Sequence, residues 1–109
     1  MYMRISWGRV NPGQWEDYER AFLQALEDAG PIDGLVARTI SRDLDDPDTG
    51  YSVSVWETEE AMDAYEKGAS SNAIVPKIKE YFGGAFVTNK LEVVFDERYD
   101  RAGASPQSG

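Results

Sequence analysis

Ser52, Ser54 and Trp56 alternate with Val53 and Val55 in the run SVSVW. On an extended strand, that alternation puts two hydroxyls and an indole on one face and two β-branched side chains on the other. Hydroxyls orient a small ligand through hydrogen bonds, and an indole offers a flat surface on which a ring can stack. Arg38 and Arg42 supply guanidinium groups able to hold an oxyanion. Trp7 and Tyr65 are further stacking candidates, and Asn89 is a further polar one. The chain has no His and no Cys. That removes the commonest general base and metal ligand, thiolate nucleophiles, Cys zinc sites and iron–sulfur clusters. Only Met or Tyr is left to ligate a haem iron. A proton acceptor must therefore be a Tyr, a carboxylate of raised pKa, or water.

The chain holding these residues is 109 long, enough for one domain with a modest core. At 41% hydrophobic and 12% aromatic it has the composition of a globular protein. A net charge of −9 argues against nucleic acid, whose phosphates call for a Lys/Arg footprint. No apolar run approaches the roughly 20 residues of a membrane-spanning helix, and no secretory signal precedes the first strand. A cytoplasmic protein with no membrane partner is expected.

The elements that must position the chemistry follow from periodicity. Residues 2 to 10 alternate as a first strand. Asn11-Pro12 reads as an N-cap and first helical position, and Trp15, Tyr18, Phe22, Leu26 and Ala29 form one apolar helical face that Gly30-Pro31 ends. A second strand over about 34 to 43 and a third over 51 to 57 form a hairpin around the acidic turn LDDPDTG. That turn lacks the Gly and Glu of a calcium loop at the required places. Thr58 caps a second helix carrying Ala61, Met62, Tyr65 and Ala69. Ser70-Ser71-Asn72 reads as a break before a further helical piece with Pro76 in its first turn. A long last strand is expected over 85 to 99, so that residues 1–99 form one domain and 100–109 a disordered tail. The order β-α-β-β-α-β is that of an α+β, ferredoxin-like antiparallel sheet with both helices on one face.

The sequence suggests which residues share a face. Met3, Ile5, Trp7, Val53 and Val55 are expected under the helices, with Leu35, Ala37 and Thr39 beside them, because this spares Arg38 an unpaired burial. The opposite face then carries Arg4, Ser6, Gly8, Ser52, Ser54, Trp56, Arg38 and Arg42, with Val36, Ile40 and Phe95. A β-bulge in the second strand would reverse that assignment. Such a face calls for a second copy stacked on it, as in a symmetric dimer. Its small residues leave a lined cavity, with Trp56 as wall. The competing expectation is that Trp56 is a packed core residue.

The run YSVSVWETEEAMDAYEKG, from Tyr51 through the second helix, resembles the antibiotic biosynthesis monooxygenase domain family. Element order and length agree over roughly residues 2 to 97. The resemblance implies a ferredoxin-like protomer that pairs into a dimeric α/β barrel, each protomer with its own cavity. One branch of the family degrades haem with an Asn, a Trp and an iron-ligating His. Here those positions hold Gly8, Trp56 and about Val75, so that activity is not expected. The other branch oxidises aromatic polyketides, anthrone to quinone, without metal, flavin or haem. Its pocket Asn corresponds to Ser52 and its pocket aromatic to Met62, with Tyr65 one turn on, so Trp56 alone matches.

The resemblance thus implies a cofactor-independent monooxygenase in secondary metabolism, using O₂ on an aromatic or polyketide-like molecule. Arg38 and Trp56 would be catalytic, and Trp7, Arg42, Ser52, Ser54, Tyr65 and Asn89 would bind substrate. The alternative is a binding protein, isomerase or cyclase on the same scaffold.

Overall fold

The computed structural model describes residues 1–98. The expected tail at 100–109 lies outside the described residues. Strand β1 (Tyr2–Val10) leads to helix α1 (Trp15–Ala29), then β2 (Leu35–Arg42), β3 (Thr49–Trp56), α2 (Glu59–Lys67), α3 (Ala69–Ile78), a 3₁₀ turn (Lys79–Tyr81) and β4 (Phe82–Glu92). The four strands pair antiparallel in the order β2-β3-β1-β4. This is the ferredoxin-like arrangement, an open sheet with its helices on one side. No helix among the described residues is long and apolar enough to cross a membrane.

Local chemistry explains most element ends. Asn11 lies in a turn ahead of α1, where its carbonyl accepts from the Gln14 amide at 3.0 Å. The helix begins at Trp15, three residues later than the Asn-Pro signal suggests. The Thr58 hydroxyl caps α2 by accepting from the Ala61 amide at 3.0 Å, as its sequence predicts. The Ser-Ser-Asn segment is not a break. Gly68 caps the next helix, the Asn72 amide reaches the Gly68 carbonyl at 3.1 Å, and Pro76 sits inside α3 rather than in its first turn. Strand β4 starts earlier than expected and runs through Gly83-Gly84, because Phe82 pairs with Val10 across a register shift between Gly8 and Val10. Val94 and Phe95 lie past its end and are exposed.

The core lies between the sheet and the helices: Val10, Trp15, Tyr18, Phe22, Ala25, Ile74 and Ile78 are buried together, with Leu26, Ala29, Tyr65, Tyr81 and Phe82 packed around them. Burying each large side chain of this kind is worth about 1.5–3 kcal/mol.

The sheet presents the opposite face to the one expected. Across the strands, Arg38, Ser54 and Arg4 form one row, Ile40, Ser52, Ser6 and Thr88 the next, and Arg42, Gly50, Gly8 and Phe86 a third. These rows lie under the helices. Met3, Ile5, Trp7, Val53 and Val55 point the other way, with Ala37, Thr39, Tyr51, Val87 and Leu91 beside them. Packing accounts for the reversal. The helices and β4 bring their own large rings, so the strands beneath must supply small residues. A Cβ on Gly50 would collide with the Trp15 ring, and one on Gly8 with Phe82. In β2, the register shifts between Leu35 and Ala37, so Leu35 joins Trp56 on the helix side while Ala37 and Thr39 face away, and Arg38 keeps the side of its partner Ser54. The serine-bearing face is therefore covered by the protomer's own helices, not by a second copy.

Candidate functional site

A partly enclosed cavity of about 80 Å³ lies between that face and the helices. Strands β1, β2 and β3 floor it with Arg4, Ser6, Gly8, Arg38, Gly50, Ser52 and Ser54. Helices α1 and α2 contribute Tyr18, Phe22 and Tyr65, and α3 contributes Ser71, Ile74, Val75 and Ile78. Phe82 and Phe86 close the β4 side. The alternation of two along each strand is what brings every second polar residue to this floor.

The floor's polar groups are partly tied to one another. The Ser6 and Thr88 hydroxyls are 3.0 Å apart, and Arg4 Nη1 donates to Ser6 Oγ at 3.3 Å. Arg4 Nε also lies 3.5 Å from Glu66 Oε2, and the other oxygen of that carboxylate is 3.8 Å from Lys90 Nζ. This long, partly exposed pair contributes little to stability. Arg38 differs. Its guanidinium sits 5.4 Å from the centre of the Tyr65 ring, and no carboxylate pairs with it among the described residues. A cavity in a chain of net charge −9 is thus lined by a guanidinium with no counter-ion among the described residues.

Trp56 stands one layer behind this wall. It is fully buried, its indole N–H donates to Ser54 Oγ at 2.9 Å, and its ring packs on Tyr65 at 5.1 Å. The expectation of Trp56 as cavity wall gives way to Trp56 as a packed core residue whose hydrogen bond orients Ser54. Tyr65 shields it from the cavity.

Of the other expected site residues, Arg38, Ser52, Ser54 and Tyr65 meet at the cavity. Arg42 lies on the same face but outside it: it bonds to the Pro47 carbonyl at 2.7 Å, pairs with Glu16 at 3.2 Å and covers the Trp15 ring. Trp7 pairs with Tyr51 and Val87, and Asn89 with Ile5, so both lie on the other face of the sheet, remote from the cavity. Their placement follows from the reversed faces. Sequence reading passed over Arg4, Ser6, Tyr18, Phe22, Ser71, Phe82 and Phe86. For Arg4 and Ser6 the signal existed, since they share the parity of Ser52 and Ser54. Tyr18 and Phe22 carried only the signature of a packed helix face.

Tyr18 is also electrostatically distinct. Burial disfavours its phenolate and pushes the hydroxyl up to about 12, so it is a proton donor, not a base, near neutral pH. Among the described residues, no group of three or more carboxylates is placed to hold a metal ion.

The family model for the antibiotic biosynthesis monooxygenase domain matches residues 1–77, from β1 into α3. The chain belongs to the antibiotic biosynthesis monooxygenase family. Solved structures agree in fold. A protein from Nitrosomonas europaea, provisionally named an antibiotic biosynthesis monooxygenase, superposes with a TM-score of 0.75 at 16% identity over 87% of this chain and 100% of its own. Another, from Bordetella bronchiseptica and named with the same reserve, gives 0.75 at 21% identity over 86% and 97%. A third, from Caulobacter crescentus, gives 0.76 at 15% identity over 86% and 90%. At these identities the likeness is one of fold. No curated protein matches the chain in sequence.

Proposed function

We propose that this member of the antibiotic biosynthesis monooxygenase family is a cofactor-independent monooxygenase for a small aromatic or polyketide-like compound. The observation that carries the reading is the cavity itself, where aromatic and aliphatic side chains surround an unpaired Arg38 and a floor of hydroxyls. An electron-rich substrate, once deprotonated, can pass its own electrons to O₂. A ring-flanked CH₂ becomes C=O, and the second oxygen atom leaves as water. The protein's part is to bind the ring among Tyr65, Phe22, Phe82 and Phe86, to exclude bulk water, and to hold the enolate or phenolate oxygen against Arg38. Ser52 and Ser54 orient the substrate's oxygens. Trp56 acts through Ser54 and Tyr65, so its part is positioning. With no His in the chain, a water molecule takes the proton.

Size sets the limit on substrate. Ligand pockets commonly span roughly 300–1,000 Å³, whereas this cavity holds about 80 Å³. Phe86 and Val75, both lining the cavity and about half exposed, are the side chains that must swing aside to admit a ring. The small volume also supports a second reading, a binding protein, isomerase or cyclase for a compact ligand.

A homodimer belongs to the same proposal. Met3, Ile5, Trp7, Val53, Val55, Val87 and Leu91 form an apolar sheet face that no described element covers, and a second copy stacked face to face buries it.

Oxygen consumption with anthrone as probe tests the activity. Uptake of O₂ with formation of the quinone is expected from the wild type, and Arg38→Gln should slow it by roughly 10²-fold. Turnover without O₂ would replace the oxygenase with the isomerase or cyclase, and binding without turnover with the carrier.

A further inference from the structure

The Tyr18 hydroxyl is the least explained polar group in the interior. Tyr18 lines the cavity, is 6% exposed, and its hydroxyl has no hydrogen-bond partner among the described residues. Buried hydroxyls are nearly always paired, because an unpaired one forfeits its hydration without return. Its ring is well held, by Phe22 at 5.7 Å, Phe82 at 5.3 Å and Trp15 at 5.1 Å. Packing thus explains the ring but not the oxygen. Ser71, across the cavity on α3, repeats the pattern: it is 7% exposed and its hydroxyl has no partner among the described residues.

Position adds meaning. Tyr18 packs on Phe82, whose ring lies over Gly8, whereas Arg38 and Arg4 belong to the row of Ser54. Arg4 and Gly8 are four residues apart on β1, or roughly 13 Å along the strand. The cavity therefore has a cationic end at Arg4 and Arg38 and a second end at Gly8 and Phe82 beside Tyr18, with Ser6 and Ser52 on the floor between them and Phe22, Ile74 and Ile78 among its apolar lining. One end is cationic. The other offers a hydroxyl that burial keeps protonated, hence a donor seeking an acceptor.

We propose that Tyr18 is a ligand-binding residue that donates its hydrogen bond to a carbonyl or ether oxygen, and that the ligand carries its negative charge at the opposite end, against Arg38 and Arg4. The ligand class is a small oxo acid or oxygenated aromatic acid: one anionic head, a short apolar body, and one neutral acceptor. This deepens the reading of the cavity as a substrate site, yet it needs no oxidation to be true.

The test uses three probes on the full chain by calorimetry: benzoate, 4-acetylbenzoate, which adds the distal carbonyl, and acetophenone, which lacks the charge. The wild type should bind 4-acetylbenzoate more tightly than benzoate by roughly threefold to tenfold, the value of one neutral hydrogen bond. Tyr18→Phe should erase that preference, leave benzoate binding unchanged, and hold or raise the ligand-free melting temperature, since it removes an unpaired buried hydroxyl. Arg38→Gln should weaken both acids by roughly ten- to a hundredfold, as loss of a charge-assisted bond does, without changing acetophenone. The proposal is overturned if neither acid binds at millimolar concentration, if Tyr18→Phe keeps the preference, or if Tyr18→Phe lowers the ligand-free melting temperature, which would make the hydroxyl structural. Failure here together with O₂ uptake on a neutral probe leaves the oxygenase reading standing. Acid binding without O₂ uptake does the reverse.

Discussion

The two faces of the sheet invert the usual expectation for strands. The face under the helices is made of Ser, Gly and Arg, with Ser6, Ser54 and Trp56 buried. The face away from the helices is made of Met, Ile, Trp and Val, and its Tyr51, Val87 and Leu91 are exposed. Large apolar strand residues do not by themselves mark the covered side. Where helices carry Trp15, Tyr18 and Phe22, the space over the sheet is already filled, and the strands below can only be small. Polar strand residues there then line whatever space the rings leave. The apolar face on the other side is left bare in the protomer, with Tyr51, Val87 and Leu91 exposed.

The largest expected effect lies on the covered face. Trp56→Ala should cost about 3–5 kcal/mol in chemical denaturation, since it opens a hole in a packed core and orphans Ser54. A loss below about 1 kcal/mol would return Trp56 to the cavity wall and weaken the contrast between the faces.

Alkaline pH sharpens the same contrast. Tyr18 ionises at about 12 in the folded chain against 10.0 without burial, so between those values the unfolded state has lost the proton and the folded state still holds it. Stability should therefore fall as pH rises from 10 toward 12, by about 2–3 kcal/mol from this group. Denaturation of Tyr18→Phe should show a flatter alkaline limb than the wild type, and equal limbs would mean that the hydroxyl is not buried.

The third comparison adds bulk to the covered face. Gly8→Val places new carbons against Phe82 and Phe86, and overpacking of this kind should cost about 1–3 kcal/mol and close part of the cavity. Thermal melts and probe binding should both register it.

The smallest effect on the protomer comes from the bare face. Val53→Asp should lower its intrinsic stability by about 1 kcal/mol or less, within the range of strand propensities. Sedimentation should nevertheless show the mass falling from twice the chain's 12.2 kDa to that of one chain. An unchanged dimer would move the contact to another surface, and a wild-type monomer would leave the face bare.

Much of this architecture is legible along the chain. The period of α1 selects Trp15, Tyr18 and Phe22 as its buried stripe, and the acidic turn joins β2 to β3 as a hairpin. The alternation of β1 and β3 correctly groups Arg4, Ser6 and Gly8 with Ser52, Ser54 and Trp56. A period of two sorts side chains into two sets, but carries no sign for which set meets the helices. That choice depended on the volume of the helix rings, and a one-residue shift at Leu35–Ala37 put Leu35 on the same side as Arg38; alternation encodes neither. The same decision sent Trp7 and Asn89 away from the cavity and brought Arg38 into it. Trp56 shows the remaining limit. Its residue type and strand position permit either wall or core, and only the seating of Tyr65 over its ring, with Ser54 taking its N–H, makes it core. Composition and periodicity thus determined the order of the elements, the grouping of residues on β1 and β3, and the absence of His and Cys from the chain's chemistry. Tertiary packing alone determined which group encloses the cavity, because that depends on what the helices bring to it.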